Sequence, residues 1–330
     1  MPITLSGGAV MTGGMQVTEG GSPSPTPSFS FQGSNFGYST GGISDGNYTN
    51  VISKFSFTSD GNATDVGDLA ITLAYASGQS SSDNGYSSGG YSPSNSPQRS
   101  NAIQKFPFAS DGNATDIADL TTERSSSSGH SSGVSGYTAG GSPLTNMIEK
   151  FPVASDGNAT DVGDLTQSKI YAIGQSSSAS GYSSGGRVPG SPSPEINVIE
   201  KFSFSSDGNG TDVGDLSISR QQGAGQSSTD SGYTSGGYTG GSPFATTTID
   251  KFPFASDGNA AFVGNLSTGV NSNFNMCGQS STSSGYSSGG STGANPAINT
   301  IEKFPFSSDN NASDVGDLTQ ATRINAGQQY

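Results

Sequence analysis

The 330-residue chain has no tryptophan, one cysteine (Cys277) and one histidine (His130). A lone cysteine cannot pair within the chain, which excludes a disulfide scaffold, and so few His and Cys side chains disfavour transition-metal chemistry. No apolar run approaches the roughly 18 residues of a transmembrane helix, so we expect no membrane insertion. Basic residues are also scarce: 12 against 26 acids give a net charge of −14, which argues against nucleic-acid binding.

Glycine is abundant, with 50 residues, while hydrophobic residues make up only 29% of the chain. Taken alone, this composition predicts disorder, because little apolar surface is available to bury. The N-terminal residues Met1–Leu5 show no basic region followed by an apolar stretch, so we expect no secretory signal peptide. Any order in the chain must therefore come from its pattern.

A repeat supplies that pattern. A Lys-Phe pair recurs about every 50 residues, and its third copy lies in the block Ile148–Leu165. Each block follows a Gly-Tyr-x-x-Gly-Gly element and precedes a Gly-Gln pair, for which the second copy has Gly129-His130. A period near 50 residues is typical of one blade of a β-propeller. The lysines of the six copies are Lys54, Lys105, Lys150, Lys201, Lys251 and Lys303.

The sequence therefore predicts an all-β, six-bladed propeller over residues 29–330, with four short antiparallel strands per blade. The strands cover Gly-Gln-Ser-Ser-Ser, Gly-Tyr-Ser-Ser-Gly-Gly, Ile-Glu-Lys-Phe-Pro-Phe and Thr-Asp-Val-Gly-Asp-Leu, with an Asp-Gly-Asn turn between the last two. We expect Phe55, Phe57, Val66, Leu69 and their repeats to pack between blades. Prolines in the third strand conflict with an inner ladder and imply a bulge or partial pairing. They are Pro107, Pro152, Pro253 and Pro305.

The order of these elements resembles the kelch motif, in which a glycine pair also ends the second strand. The resemblance covers about residues 30–330 and implies a kelch-like propeller. The tryptophan usual in the fourth strand of that family is missing here, and valine or isoleucine lies nearby. Arg124, Arg220 and Arg323 follow the fourth strand, as in kelch repeats, whereas copies one, three and five lack this arginine.

A second resemblance concerns the source of the repeat. The block Lys-Phe-Pro-Phe-Ala-Ser-Asp-Gly-Asn-Ala-Thr-Asp-Val-Gly-Asp-Leu, with Gly-Tyr-Ser-Ser-Gly-Gly, resembles repeats in virion proteins of aquatic bacteriophages. Residues Met1–Gly8 resemble the start of phage tail-fibre and appendage proteins. These resemblances imply a structural protein on the surface of a virion, associated with the tail or decorating the capsid.

Residues 1–28 lie outside the repeat and are rich in glycine and proline, which predicts an extended arm and linker. We expect the arm to anchor the chain by forming strands on another virion protein; the alternative is a disordered tail. The apolar residues of the arm are Ile3, Leu5, Val10, Met11, Met15 and Val17.

The order of strands predicts how the ring closes. The first unit starts at its second strand, near Gly37, and the chain ends in a first-strand sequence, Ala326–Tyr330. We therefore expect the C-terminal strand to complete the first blade, which would remove a frayed edge. The alternative is that Phe29–Gln32 supplies this strand.

Aspartates cluster in each unit, for example Asp60, Asp65 and Asp68. Such clusters can bind calcium, but the fifth unit has lost two of the three and the ligand spacing of known calcium loops is missing. If the hairpin is centred on Gly61, the lysine lies opposite the last aspartate and forms a cross-strand ion pair. The pairs predicted in this way are Lys54–Asp68, Lys105–Asp119, Lys150–Asp164, Lys201–Asp215 and Lys303–Asp317.

The segments between the glycine pair and the third strand vary while the framework repeats, as expected of a binding surface. They span 43–50, 91–101, 142–146, 187–196, 238–247 and 291–298. The candidate partner-binding residues are Tyr91, Arg99, Arg187, Tyr238 and Phe244.

The pattern favours a non-enzymatic virion protein that binds other virion proteins through its arm and a host-surface glycan or protein through its loops. The alternative is an extracellular adhesion or scaffold propeller outside a virion. We expect no cofactor and no catalytic site, because His130 reads as a substitute for the repeated glutamine rather than as a base, and it leaves no second histidine for a triad.

Overall fold

The computed structural model of the chain describes residues 31–94, 98–190, 194–241, 243–267, 272–292 and 296–330. They form six four-stranded antiparallel sheets arranged as the blades of a ring, which confirms the predicted all-β, six-bladed propeller. In this part of the chain there is no helix of the length and apolarity needed to span a bilayer. The predicted arm, residues 1–28 with Ile3, Leu5, Val10, Met11, Met15 and Val17, lies outside the described residues.

The strands follow the chain blade by blade. Blade 1 contains β1 (Phe36–Ser44), β2 (Asn47–Ser56) and β3 (Thr64–Asp68); blade 2 contains β4 (Ser77–Ser80), β5 (Asn84–Ser88), β6 (Ala102–Pro107) and β7 (Thr115–Asp119). Blade 3 contains β8 (Ser128–Ser131), β9 (Ser135–Ala139), β10 (Met147–Pro152) and β11 (Thr160–Asp164); blade 4 contains β12 (Ile173–Ser176), β13 (Ser180–Ser184), β14 (Val198–Ser203) and β15 (Thr211–Asp215). Blade 5 contains β16 (Ala224–Ser227), β17 (Ser231–Ser235), β18 (Thr248–Pro253) and β19 (Ala261–Asn265). Blade 6 contains β21 (Cys277–Ser280), β22 (Ser284–Ser288), β24 (Thr300–Pro305) and β25 (Ser313–Asp317), joined by the short pair β20 (Ser272–Phe274) and β23 (Ser291–Thr292), and β26 (Ala326–Gln329) ends the series.

The C-terminal strand closes the ring, as predicted. β26 is the innermost strand of blade 1 and pairs with β1 from Thr40↔Ala326 to Gly37↔Gln329. Phe31 and Gln32 do not supply this strand; they lie across the end of the axis. The Gln329 amide donates to the Phe31 carbonyl at 2.8 Å, and the Gln32 amide donates to the Ser227 carbonyl at 3.1 Å.

Glycine lines the axis because no other residue fits there. In each first strand, a Cβ on the glycine of the Gly-Gln pair would lie 2.0–2.3 Å from the carbonyl oxygen of the equivalent glycine in a neighbouring blade. These glycines therefore have a steric role at the centre of the ring. They are Gly78, Gly129, Gly174, Gly225, Gly278 and Gly327.

The residue after each axial glycine joins two blades. The Gln79 amide donates to Ser88 in its own blade at 2.8 Å and to the Tyr137 carbonyl of the next blade at 3.1 Å. In the second copy, His130 is fully buried, and its Nδ1–H donates to the Gln175 carbonyl at 3.1 Å while Nε2 accepts from Ser128 at 3.0 Å. His130 thus performs the linking role of the repeated glutamine, as the sequence indicated.

His130 should make the ring sensitive to acid. Burial lowers the pKa of His130 from 6.5 to about 4, so the unfolded chain binds this proton more readily than the folded chain. Stability that is fully present above pH 6.5 is then lost as the pH falls toward 4. At pH 4 we expect His130 to lower the free energy of unfolding of the wild type by roughly 3 kcal/mol, and His130→Gln should abolish this loss. Urea unfolding at pH 7 and pH 4 measures the free energy of unfolding of the wild type and the variant. If the wild type and the variant differ in this free energy by the same amount at both pH values, the acid sensitivity does not come from His130.

The apolar core lies between blades, as predicted. Phe55 and Phe57 of blade 1 pack against Ile301 and Leu318 of blade 6, and Phe57 stacks on Tyr286 with ring centroids 4.7 Å apart. The tyrosine of each Gly-Tyr element belongs to this core, which the sequence pattern did not reveal. The prolines cause no conflict, because Pro107 and its repeats end the third strand, beyond its last pair with the fourth strand.

Each Asp-Gly-Asn turn binds to the preceding blade through an ion pair and hydrogen bonds. Between blades 1 and 2, Lys54 forms an ion pair with Asp111 at 2.8 Å. The Asp68 amide donates to the Asn113 side chain at 3.0 Å, and the Ala114 amide donates to the Asp68 carbonyl at 2.7 Å. The same contacts recur around the ring, so the block repeats because it forms the interface between blades.

The predicted cross-strand ion pairs are therefore wrong in their partners. Lys54 lies opposite Thr64 and Asp68 lies opposite Val51, because a bulge follows Ile52 and the hairpin is not centred on Gly61. The same holds for Lys105–Asp119, Lys150–Asp164, Lys201–Asp215 and Lys303–Asp317. The lysines instead reach the next blade, in the pairs Lys54–Asp111, Lys105–Asp156, Lys150–Asp207, Lys201–Asp257, Lys251–Asp309 and Lys303–Asp60.

The ring has two different faces. We call the face with the Asp-Gly-Asn turns and the hairpins between first and second strands the turn face. The loop face carries the variable loops, which bridge to the connections between blades, as in Ala74↔Tyr91 and Gln221↔Tyr238. One predicted loop, 43–50, is instead mostly a strand extension, since β1 and β2 continue to a tight turn at Asp45–Gly46.

Candidate functional site

A ring of strained residues surrounds the axis on the loop face. Each connection between blades holds one non-glycine residue at φ between 59° and 64°. Their backbones form a closed circle, in which each amide donates to the carbonyl of the preceding member at 2.6–3.2 Å. Such backbone strain costs about 1–3 kcal/mol per residue and is a pointer to function. The members are Tyr75, Ser126, Tyr171, Gln222, Asn275 and Ile324.

A pocket of about 330 Å³ opens on the loop face over blades 1 to 3. Three ring members, Tyr75, Ser126 and Tyr171, form one side, and the hairpin of blade 1 and the loop of blade 2 form the other. We call this the tyrosine pocket. Its lining residues are Tyr48, Tyr75, Tyr91, Arg99, Ser125, Ser126, Ser142 and Tyr171.

The tyrosines of the pocket hold one another in place. The rings of Tyr48 and Tyr91 lie 5.8 Å apart between centroids, and those of Tyr75 and Tyr171 lie 5.9 Å apart. Burial, followed by the neighbouring Tyr171, raises the pKa of Tyr75 to about 12, and burial also raises the pKa of Tyr48. The hydroxyls of Tyr48 and Tyr75 are therefore protonated at neutral pH and can both donate and accept hydrogen bonds.

Arg99 is the one charged side chain among the lining residues. Its Nη2 donates to the Ser142 hydroxyl at 3.1 Å, which fixes the guanidinium at the pocket wall. Its Nε–H is buried and has no hydrogen-bond partner. The guanidinium lines the pocket, so it can meet an acceptor of opposite charge that a ligand would bring.

The five predicted loop residues fall into three places. Tyr91 and Arg99 line the tyrosine pocket, whereas Tyr238 and Phe244 stack at 6.3 Å in a second aromatic group near blade 6, with Phe244 56% exposed. Arg187 bridges Ile170 and Glu195 on the loop of blade 4.

Sequence reasoning missed three of the four tyrosines that line the pocket, and its three serines. Tyr48 lay within the variable segment 43–50, so the loop pattern contained a signal for it. Tyr75 and Tyr171 share one position, three residues before the axial glycine, and variation at this position was the available signal.

Buried ion pairs support the connections beneath the loop face. Arg124 contacts Glu149 at 2.8 Å, Lys169 contacts Glu200 at 2.5 Å, and Arg220 contacts Asp250. Lys169 therefore occupies, in the third copy, the position of the arginine that this copy lacks. Arg323 is displaced by one residue from this position, which Thr322 occupies, and it pairs instead with Ile43 on the loop face.

The aspartates of the turns already have protein partners. Asp60 accepts from Lys303 at 2.9 Å, and Asp65 accepts from the Gly67 amide at 3.2 Å. Among the residues described by the structure, no group of three or more His, Cys, Asp or Glu side chains is placed to hold a metal ion.

No protein-family model and no curated protein matches this chain. The six-bladed propeller itself fits a binding or scaffold role, because the repeated framework presents differing side chains on one face.

Proposed function

We propose that this chain is a non-enzymatic structural protein of a bacteriophage virion. A kelch-like propeller is displayed on the particle surface, at the tail or the capsid, and binds the host surface or a neighbouring virion protein. The arm, residues 1–28, attaches the propeller to other virion proteins.

The main support for this proposal is that the N-terminal residues and the variable loops lie on opposite faces of the ring. The Gly33 amide donates to the Ser280 carbonyl at 2.8 Å, at the turn-face end of a first strand. The N-terminal residues therefore join the propeller on its axis at the turn face. The tyrosine pocket and the variable loops lie on the other face, so a propeller attached through its N-terminal residues presents its variable surface outward.

The virion assignment also draws on the resemblance of the repeated block and of Met1–Gly8 to phage virion proteins. A non-catalytic role is supported by the two side chains best suited to catalysis. His130 is buried and neutral, with both ring nitrogens engaged. Cys277 is buried, and burial raises the pKa of its thiol, which makes it a poor nucleophile.

The second candidate is an extracellular adhesion or scaffold propeller outside a virion. The same aromatic loop face supports it, with Phe244 exposed beside Tyr238. The two candidates differ in the arm, which only a virion protein requires for assembly.

The test uses a phage that encodes this chain and two full-length variants. Replacing Ile3, Leu5, Val10, Met11, Met15 and Val17 by serine should remove the protein from purified particles, measured by immunoblot. The variant Tyr91→Ala/Arg99→Gln should enter particles normally and reduce their adsorption to host cells. Full incorporation of the serine variant would refute anchoring by the arm, and absence of the wild-type protein from particles would refute the virion role and favour an adhesin.

A further inference from the structure

We propose that the tyrosine pocket binds a sugar residue that carries a carboxylate. The inference rests on the proposed function, because it specifies what the displayed loop face recognises. Three properties of the pocket support it: its size, its lining and its single charge.

The size of the pocket favours a small ring over a protein segment. At about 330 Å³, it lies at the lower end of the roughly 300–1,000 Å³ range of small-molecule sites. Protein partners use broader surfaces of about 800 Å² per side. A pocket enclosed by two blade connections and two loops suits one pyranose ring of a longer saccharide.

The lining favours a ligand rich in hydroxyls. Pockets for apolar ligands are lined mainly by aliphatic and aromatic carbon with few polar groups. Here every uncharged lining side chain is a tyrosine or a serine. The tyrosine rings offer flat faces for the C–H surface of a sugar, and tyrosine and serine hydroxyls can donate and accept hydrogen bonds as the sugar hydroxyls do.

Arg99 favours an acidic sugar over a neutral one. No lining acid neutralises its charge, so the guanidinium at the pocket wall is available to an acceptor from a ligand. A carboxylate on the sugar would supply that acceptor with opposite charge, in the planar geometry that a guanidinium favours.

The distribution of charge over the molecule agrees with this assignment. In a chain of net charge −14, six lysines are engaged in ion pairs with the aspartates of the turns, and Arg124, Lys169 and Arg220 are buried in pairs. Arg99, Arg187 and Arg323 all lie on the loop face. Asp45 and Glu195 share this face, so the positive charge that an anionic saccharide would meet is that of Arg99 at the pocket.

The experiment is calorimetric titration of the full chain with digalacturonate and with its methyl ester, which has the same shape without the charge. We expect the acid to bind at least about ten-fold more tightly, because a hydrogen bond to a charged group is lost in the ester. Arg99→Gln should weaken binding of the acid about 10–100-fold and make the two ligands equal. Sialyllactose and lactose serve as a second matched pair if the ring of galacturonate is not the one recognised.

Matched controls come from the repeat itself. Tyr238 and Arg187 occupy the position of Tyr91 in other blades, so Tyr238→Ala and Arg187→Gln should leave binding unchanged, whereas Tyr91→Ala should weaken both acid and ester. Arg99→Lys should restore part of the affinity, and unchanged melting temperatures verify folding. Equal binding of acid and ester, loss of binding in the Arg187 control, or binding only of an acidic peptide would overturn the inference. If neither saccharide pair binds and the serine variant of the arm is still absent from purified particles, this inference fails and the virion role stands.

Discussion

Deletion of residues 325–330 should destabilise the propeller by about 5 kcal/mol or more, because the deletion opens the ring. The deletion removes every residue pair between β26 and β1. It also removes Gln328, whose side-chain amide donates to Thr40 at 3.2 Å and to the Tyr86 carbonyl at 3.0 Å. The deletion would expose the inner edge of blade 1 and leave buried polar groups of two blades without partners. Thermal and urea unfolding of the full chain and the deletion measure the effect.

Addition of the missing strand in trans provides the control. A synthetic peptide with the sequence of residues 325–330 should raise the melting temperature of the deletion variant, whereas a scrambled peptide should not. A deletion variant that unfolds at the wild-type temperature would contradict closure by the C-terminal strand.

Removal of a buried carboxylate is expected to have the second large effect. Glu200→Ala leaves Lys169, which is fully buried, without its partner at 2.5 Å and leaves the Thr166 amide without its acceptor. Burial already lowers the pKa of Lys169, and Glu200 opposes that shift. Loss of one member of a buried pair costs about 3–5 kcal/mol, which urea unfolding at pH 7 measures.

The next residue in the chain is the matched control. Lys201 pairs with Asp257 of the next blade at 3.0 Å, where both side chains are partly exposed, so Lys201→Ala should cost no more than about 1 kcal/mol. The double variant Lys169→Met/Glu200→Leu should recover most of the stability that Glu200→Ala loses, since it leaves no buried charge. Similar costs for Glu200→Ala and Lys201→Ala would refute the role of burial.

The sequence predicted the architecture because the architecture is periodic. The spacing of Lys-Phe, Gly-Tyr and Gly-Gln determined the number of blades, the order of strands and the closure by Ala326–Tyr330. Each of these follows from one unit and its count, without knowledge of how one blade contacts the next.

Contacts between blades were beyond this reasoning. The sequence pairs Lys54 with Asp68 of its own hairpin. Its partner is instead Asp111 of the next blade, which comes close to Lys54 only when the blades pack side by side. For the same reason, the sequence predicted only part of the tyrosine pocket. Tyr91 and Arg99 stood out within one loop, but Tyr48, Tyr75 and Tyr171 come from three other segments that meet only in the closed ring.

The division into an attached face and a displayed face is tested most directly by a density map of purified virus particles that carry this chain. We predict a six-fold disc on the particle, with its turn face and N-terminal residues toward the particle and the tyrosine pocket toward solvent. A map without such a disc, or a disc whose loop face is buried against the particle, would contradict the proposed display.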